Sequence, residues 1–142
     1  MIKSAQDKKT LVKLKIVNDY FNKISYKSDL NNWKTKDYWA TPLEFLKAGA
    51  GDCEDYAIAK FFTLKKLGIS EEKLKLIYTK VSKTNQAHIV LSYSHKPNYT
   101  PIILDNLNKK LQLSSNRKDL KQMQEIQKQV ILHKFKLQER NN

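Results

Sequence analysis

One segment constrains the fold more than any other. Asp52-Cys53-Glu54-Asp55-Tyr56-Ala57-Ile58-Ala59-Lys60-Phe61-Phe62-Thr63-Leu64 is bounded like a helix and is apolar on nearly every side. Asp52 can serve as its N-cap, and Gly68 can take the left-handed conformation that ends a helix. A helix apolar all round is a buried one, so the remaining chain has to enclose it. Upstream, Thr41-Pro42-Leu43-Glu44 offers an N-cap, a proline at the first helical position and a capping-box glutamate, which predicts a helix over 42–48 stopped by Gly49-Ala50-Gly51. Leu11, Leu14, Ile16, Val17, Tyr20, Phe21 and Ile24 recur at helical spacing, which predicts an amphipathic helix over 10–24. Residues 25–40 read as irregular, aromatic-rich chain.

Downstream the period changes. Leu74–Val81, His88–Tyr93 and Pro101–Leu107 are short runs rich in Ile, Val, Leu and Tyr, separated by turn sequences at 83–86 and 94–98, and they read as consecutive antiparallel strands. The end stays open: Leu120, Met123, Ile126 and Val130 fit a helix, whereas Ile131, His133, Phe135 and Leu137 alternate like a strand. Helices first and strands later predict an α+β fold. With 142 residues and 40% hydrophobic content, residues 1–142 are expected to form a single domain, whose tail 121–142 has no assigned role.

The single cysteine excludes an internal disulfide and a cysteine-based zinc site. No apolar run is long enough to span a bilayer, and Met1–Lys9 lacks the apolar stretch of a signal peptide, so the expectation is either a cytoplasmic protein or one trimmed to its mature form. A net charge of +13 suggests a polyanionic partner. The basic excess lies in the flanks, however, and no nucleic-acid motif with interleaved aromatics is visible. Three acids, Asp52, Glu54 and Asp55, instead surround Cys53.

Cys53 falls in the first turn of the buried helix, where free N–H groups and the helix dipole favour a thiolate. His88 opens one strand and Asp105 closes the next, so register permitting they can pair as base and orienting group. The competing reading is a cysteine packed in a core. A carboxylate about 6 Å from the sulfur opposes thiolate formation by roughly 2–3 kcal/mol at an effective dielectric near 20. A cation held by these acids would remove that cost, and oxygen ligands select Ca²⁺. Alternatively, Asp52 is simply a cap, with Glu54 and Asp55 complementing the dipole.

Asp37-Tyr38-Trp39-Ala40-Thr41-Pro42-Leu43-Glu44, the Gly51-Asp52-Cys53-Glu54-Asp55 block, Ala87-His88-Ile89-Val90-Leu91, Leu104-Asp105-Asn106 and Arg117-Lys118-Asp119-Leu120 together resemble the bacterial transglutaminase-like cysteine proteinases, the LapG family. The resemblance covers roughly residues 10–121. It implies a papain-like or transglutaminase-like α+β fold with Cys53 as nucleophile, His88 as general base and then acid, and Asp105 as its orienter. It further implies Ca²⁺ held by Asp52, Glu54 and Asp55, and a periplasmic protease that cuts a large surface adhesin near its N-terminus at a di-alanine site, releasing cells from biofilm. The implied partner is an inner-membrane cyclic-di-GMP receptor of LapD type. Trp39 is an oxyanion-donor candidate by analogy with transglutaminases. Tyr56 and Lys60, one and two turns beyond Cys53, read as packing and surface, and Trp33 as packing. Two other readings are transglutaminase-type or peptide N-glycanase-type chemistry on the same triad, and a non-enzymatic basic binding module.

Overall fold

A computed structural model describes residues 5–27, 40–127, 129–131 and 133. At its centre, helix α3 (Cys53–Lys66) buries Tyr56 through Phe61 and Leu64. It ends where predicted: Gly68 takes φ +95°, and the Ile69 N–H reaches back to the Leu64 carbonyl at 3.1 Å.

Helix α1 (Ala5–Asn22) starts earlier than its apolar pattern suggested. It turns Leu14, Val17 and Phe21 toward α3 and the core, whereas Ile16 and Tyr20 are more than half exposed. At 100° per residue these two fall on the face of Val12, away from the packed side. Helix α2 (Pro42–Ala48) is capped as its sequence specifies, with the Glu44 N–H on Thr41 Oγ1 and the Thr41 N–H on Glu44 Oε1. Strands β1 (Ser25–Tyr26) and β2 (Ala50–Gly51) pair in parallel. Gly51 is required sterically, because a Cβ there would lie 2.5 Å from the Phe45 ring.

The helices pack on a five-stranded antiparallel sheet ordered β6-β5-β4-β3-β7. Its strands are β3 (Leu74–Val81), β4 (Ala87–Tyr93), β5 (Ile102–Leu104), β6 (Gln112–Leu113) and β7 (Leu120–Glu125). Leu76, Leu91 and Leu104 meet the helices; Val90, Ile103 and Leu120 form a smaller cluster on the other face. The run predicted over 101–107 shortens to 102–104 because Asp105 leaves the ladder, its carboxylate accepting the Leu107 N–H at 3.0 Å.

The open question at the end resolves against a helix over 120–125. That stretch is β7, an edge strand on β3 with only Leu120 buried. Residues 129–131 are helical, and Ile131 is buried there rather than alternating in a strand; residues 134–142 lie outside the described residues.

Candidate active site

Cys53 is the first residue of α3. Asp52 caps it in extended geometry: the Cys53 N–H donates to Asp52 Oδ1 at 2.7 Å, and the Asp52 N–H donates to Asp55 Oδ2 at 3.0 Å. Asp55 is fully buried, and its other oxygen accepts the Ala40 N–H at 3.0 Å. Asp55 therefore joins the α3 cap to the chain entering α2. The ligand atoms of Asp52, Cys53 and Glu54 lie within 4.8 Å of one another, a group that does not include Asp55.

The sheet brings an edge of β4 to the cysteine. Strand β5 ends opposite Leu91, which leaves the next stretch of the β4 edge open, and there the Ile89 N–H donates to Cys53 Sγ at 3.5 Å. His88 is the adjoining residue. Asp105 follows directly on Leu104, the last residue of β5 paired to β4, which keeps it beside the His88 end of that strand. His88 Nε2 and Asp105 Oδ1 are 2.6 Å apart, with both side chains buried. With Nε2 committed to Asp105, Nδ1 is the ring nitrogen that remains for a second partner.

Electrostatics set the resting state. Burial, then the charge of Glu54, pushes the Cys53 thiol well above its usual range; the Ile89 amide opposes this and Asp52 reinforces it. The thiol accordingly donates to Glu54 Oε2 at 3.3 Å. Burial would also raise the Asp105 carboxyl, but the hydrogen bond and charge of His88, the Leu107 amide and Arg117 outweigh it and hold the group down to about 2. Tyr26, placed by the β1–β2 pairing, has its phenol pushed up by burial and by a hydrogen bond to Asp52.

Three residues of this network had no role in the site on the sequence reading. Arg117 is 2% exposed; its Nη2 donates to Asp105 Oδ2 at 2.8 Å, while its Nε and Nη2 grip Asp119. The Arg-x-Asp spacing was visible, but not its target 12 residues away. Lys60, expected at the surface, is fully buried, because two helical turns past Cys53 returns to the face of α3 that meets α1. Asn22 receives it. Tyr56 is packed as expected, and its hydroxyl donates to the Ile24 carbonyl. Trp33 and Trp39 lie outside the described residues.

A cysteine on a helix N-terminus set against a histidine strand of an antiparallel sheet defines the class of transglutaminase-like cysteine proteinases. The sequence profile of the bacterial transglutaminase-like cysteine proteinases (BTLCP) matches residues 1–135, and the chain belongs to that family. Calcium-bound LapG of Legionella pneumophila is 43% identical with a TM-score of 0.71, over 78% of this chain and 61% of that one. The EGTA-treated form of the same protein is 42% identical with a TM-score of 0.73, over 79% and 60%. The chain thus spans less than two thirds of the length of these LapG chains. Among curated proteins nothing matches it. No described helix is long and apolar enough to cross a membrane.

Proposed function

We propose that the chain is a calcium-dependent cysteine endopeptidase in which Cys53 is the nucleophile, His88 the general base and then acid, and Asp105 the group that orients the imidazole. The observation that carries this reading is the 2.6 Å His88–Asp105 hydrogen bond formed beside the amide that touches Cys53 Sγ. His88 takes the thiol proton through Nδ1 as the sulfur attacks the scissile carbonyl, and it returns that proton to the leaving amine. Water then hydrolyses the thioester, with His88 again as base. Asp105 keeps Nε2 protonated and the ring in plane. The Cys53 N–H would stabilise the oxyanion, with Trp39 as the second donor. At rest that N–H is bonded to Asp52, so Asp52 has to turn away before an oxyanion can use it.

The residues fit calcium. Asp52 and Glu54 offer clustered hard oxygens beside a thiol that burial and their own charges hold protonated. Both oxygens of Asp55 receive backbone amides, so its contribution is to fix the loop that presents the other two. Calcium bound there supplies the positive charge that offsets the carboxylates and favours the thiolate.

By the likeness to LapG, the substrate is a large surface adhesin cut near its N-terminus at a di-alanine site, which releases cells from biofilm. The working compartment is the periplasm, and the partner is an inner-membrane cyclic-di-GMP receptor of LapD type. The test incubates the protein with the N-terminal region of such an adhesin. Two fragments are expected with Ca²⁺, and none with Cys53→Ala or after EGTA. Cleavage by Cys53→Ala would refute the nucleophile, and EGTA-insensitive cleavage would remove the calcium. If an added amine is incorporated and no peptide bond is hydrolysed, the protease reading gives way to transglutaminase chemistry.

A further inference from the structure

Lys60 is an expensive residue to bury. It is 0% exposed, and its Nζ donates to Asn22 Oδ1 at 2.8 Å and lies 5.8 Å from the centre of the Tyr56 ring. No ion pair holds it among the described residues. A methionine would fill the same space without the cost of burying an amine. That cost is visible in the lysine itself: burial pulls it down to about 7 even though the charges of Asp105 and Asp19 favour the ammonium.

What the lysine does achieve is to orient Asn22. An asparagine amide can sit either way round, but the Lys60 ammonium only donates, so in that form it fixes Oδ1 toward itself and Nδ2 away. Asn22 Nδ2 then donates to the main-chain carbonyl of Asp105 at 2.8 Å. Asp105 is thereby gripped at its backbone from α1, with Lys60 of α3 behind that grip, as well as at its carboxylate by Arg117 and the Leu107 amide.

We propose that Lys60 and Asn22 form a positioning pair that holds Asp105 in register with His88; the proposal rests on the triad reading above. Two variants separate this role from packing. Lys60→Met removes the amine and keeps the volume. Asn22→Asp keeps a partner for Lys60 at the same size but has no N–H for the Asp105 carbonyl.

The readouts are the rate at which iodoacetamide alkylates Cys53, the only cysteine, in saturating CaCl₂, and the low-field imidazole proton of the His88–Asp105 bond by NMR. His88→Ala sets the scale. Each variant is expected to react about tenfold more slowly than the parent, part of the roughly hundredfold that a 1 Å misplacement can cost, and to lose or shift the low-field proton. The double variant should be no slower than the worse single one. Lys60→Met should unfold at no lower a temperature than the parent. Parent-like rate and resonance in the variants overturn the proposal, as do additive losses. If Lys60→Met does not fold, Asn22→Asp decides alone. If His88→Ala also reacts like the parent, the triad itself fails and the pair falls with it, an outcome recognisable because every variant then reacts alike.

Discussion

Replacing Arg117 with methionine tests how the site is held together. The guanidinium is buried, and its one good contact with the interior is the 2.8 Å bond to Asp105, a carboxylate that is 1% exposed. Removing one partner of a buried charge pair costs about 3–5 kcal/mol, because the other charge is left behind. Two features lower that figure. Asp105 Oδ1 keeps His88 and the Leu107 amide, and Arg117 Nη1 is itself buried without a hydrogen-bond partner, so deleting it removes an existing penalty. The expected loss is about 3 kcal/mol. For a chain of 142 residues, at about 4 °C per kcal/mol, the melting temperature should fall by about 12 °C. Asp119 receives two bonds from the same guanidinium but is 46% exposed, so Asp119→Asn should cost at most about 1 kcal/mol, or about 4 °C. Thermal unfolding of both variants at pH 7, followed by far-UV circular dichroism, makes the comparison. If Arg117→Met melts within about 3 °C of the parent, or Asp119→Asn loses as much as Arg117→Met, burial does not set the strength of this contact and the reasoning fails.

Two perturbed groups of the network, Asp105 and Lys60, tilt stability in predictable directions. Asp105, at about 2 when folded against about 3.9 unfolded, contributes fully above about pH 4, and about 2–3 kcal/mol is lost as the pH falls through 2. Lys60, at about 7 against about 10.4, binds fewer protons folded than unfolded, so its term raises stability with pH across that interval, by on the order of 4 kcal/mol. The groups facing it are Asp19 and Asn22 on α1, Tyr56 on α3, and Asp105 with its partners His88 and Arg117. Urea unfolding of the parent and of Lys60→Met at pH 7 to 10 should show the two converging on that rise and its absence; parallel curves contradict the assignment. Gly51→Ala should cost about 1–3 kcal/mol, because its methyl collides with the Phe45 ring that seats α2, and an unchanged denaturation midpoint would show that the ring can move aside.

Local signals were legible and distant ones were not. Thr41, Asp52 and Gly68 bound their helices through atoms within a few residues, so α2 and α3 could be read from the chain directly. Strands β3 and β4 announced themselves by composition. Strand β7 did not, because on a sheet edge the backbone makes the pairing while Lys121 to Glu125 stay in water, leaving no alternation to see. Cys53, His88 and Asp105 could be nominated by residue type and order, whereas the burial of Lys60 depends on Asn22, 38 residues away, and the role of Arg117 depends on Asp105. Asp55 looked like one more acid beside the cysteine; its two oxygens turned out to be accepting amides from Ala40 and Asp52.

The dispersal of these contacts along the chain has a consequence for biosynthesis. Asp105 is tied backward across 83 residues to Asn22 and forward across 12 to Arg117. A polypeptide emerging from its amino end therefore contains the whole of the cysteine's helix before it contains His88, Asp105 or Arg117. His88 follows, then Asp105, and Arg117, which binds that carboxylate, comes last. On the proposed triad, hydrolysis would therefore wait until the last of these residues is in place.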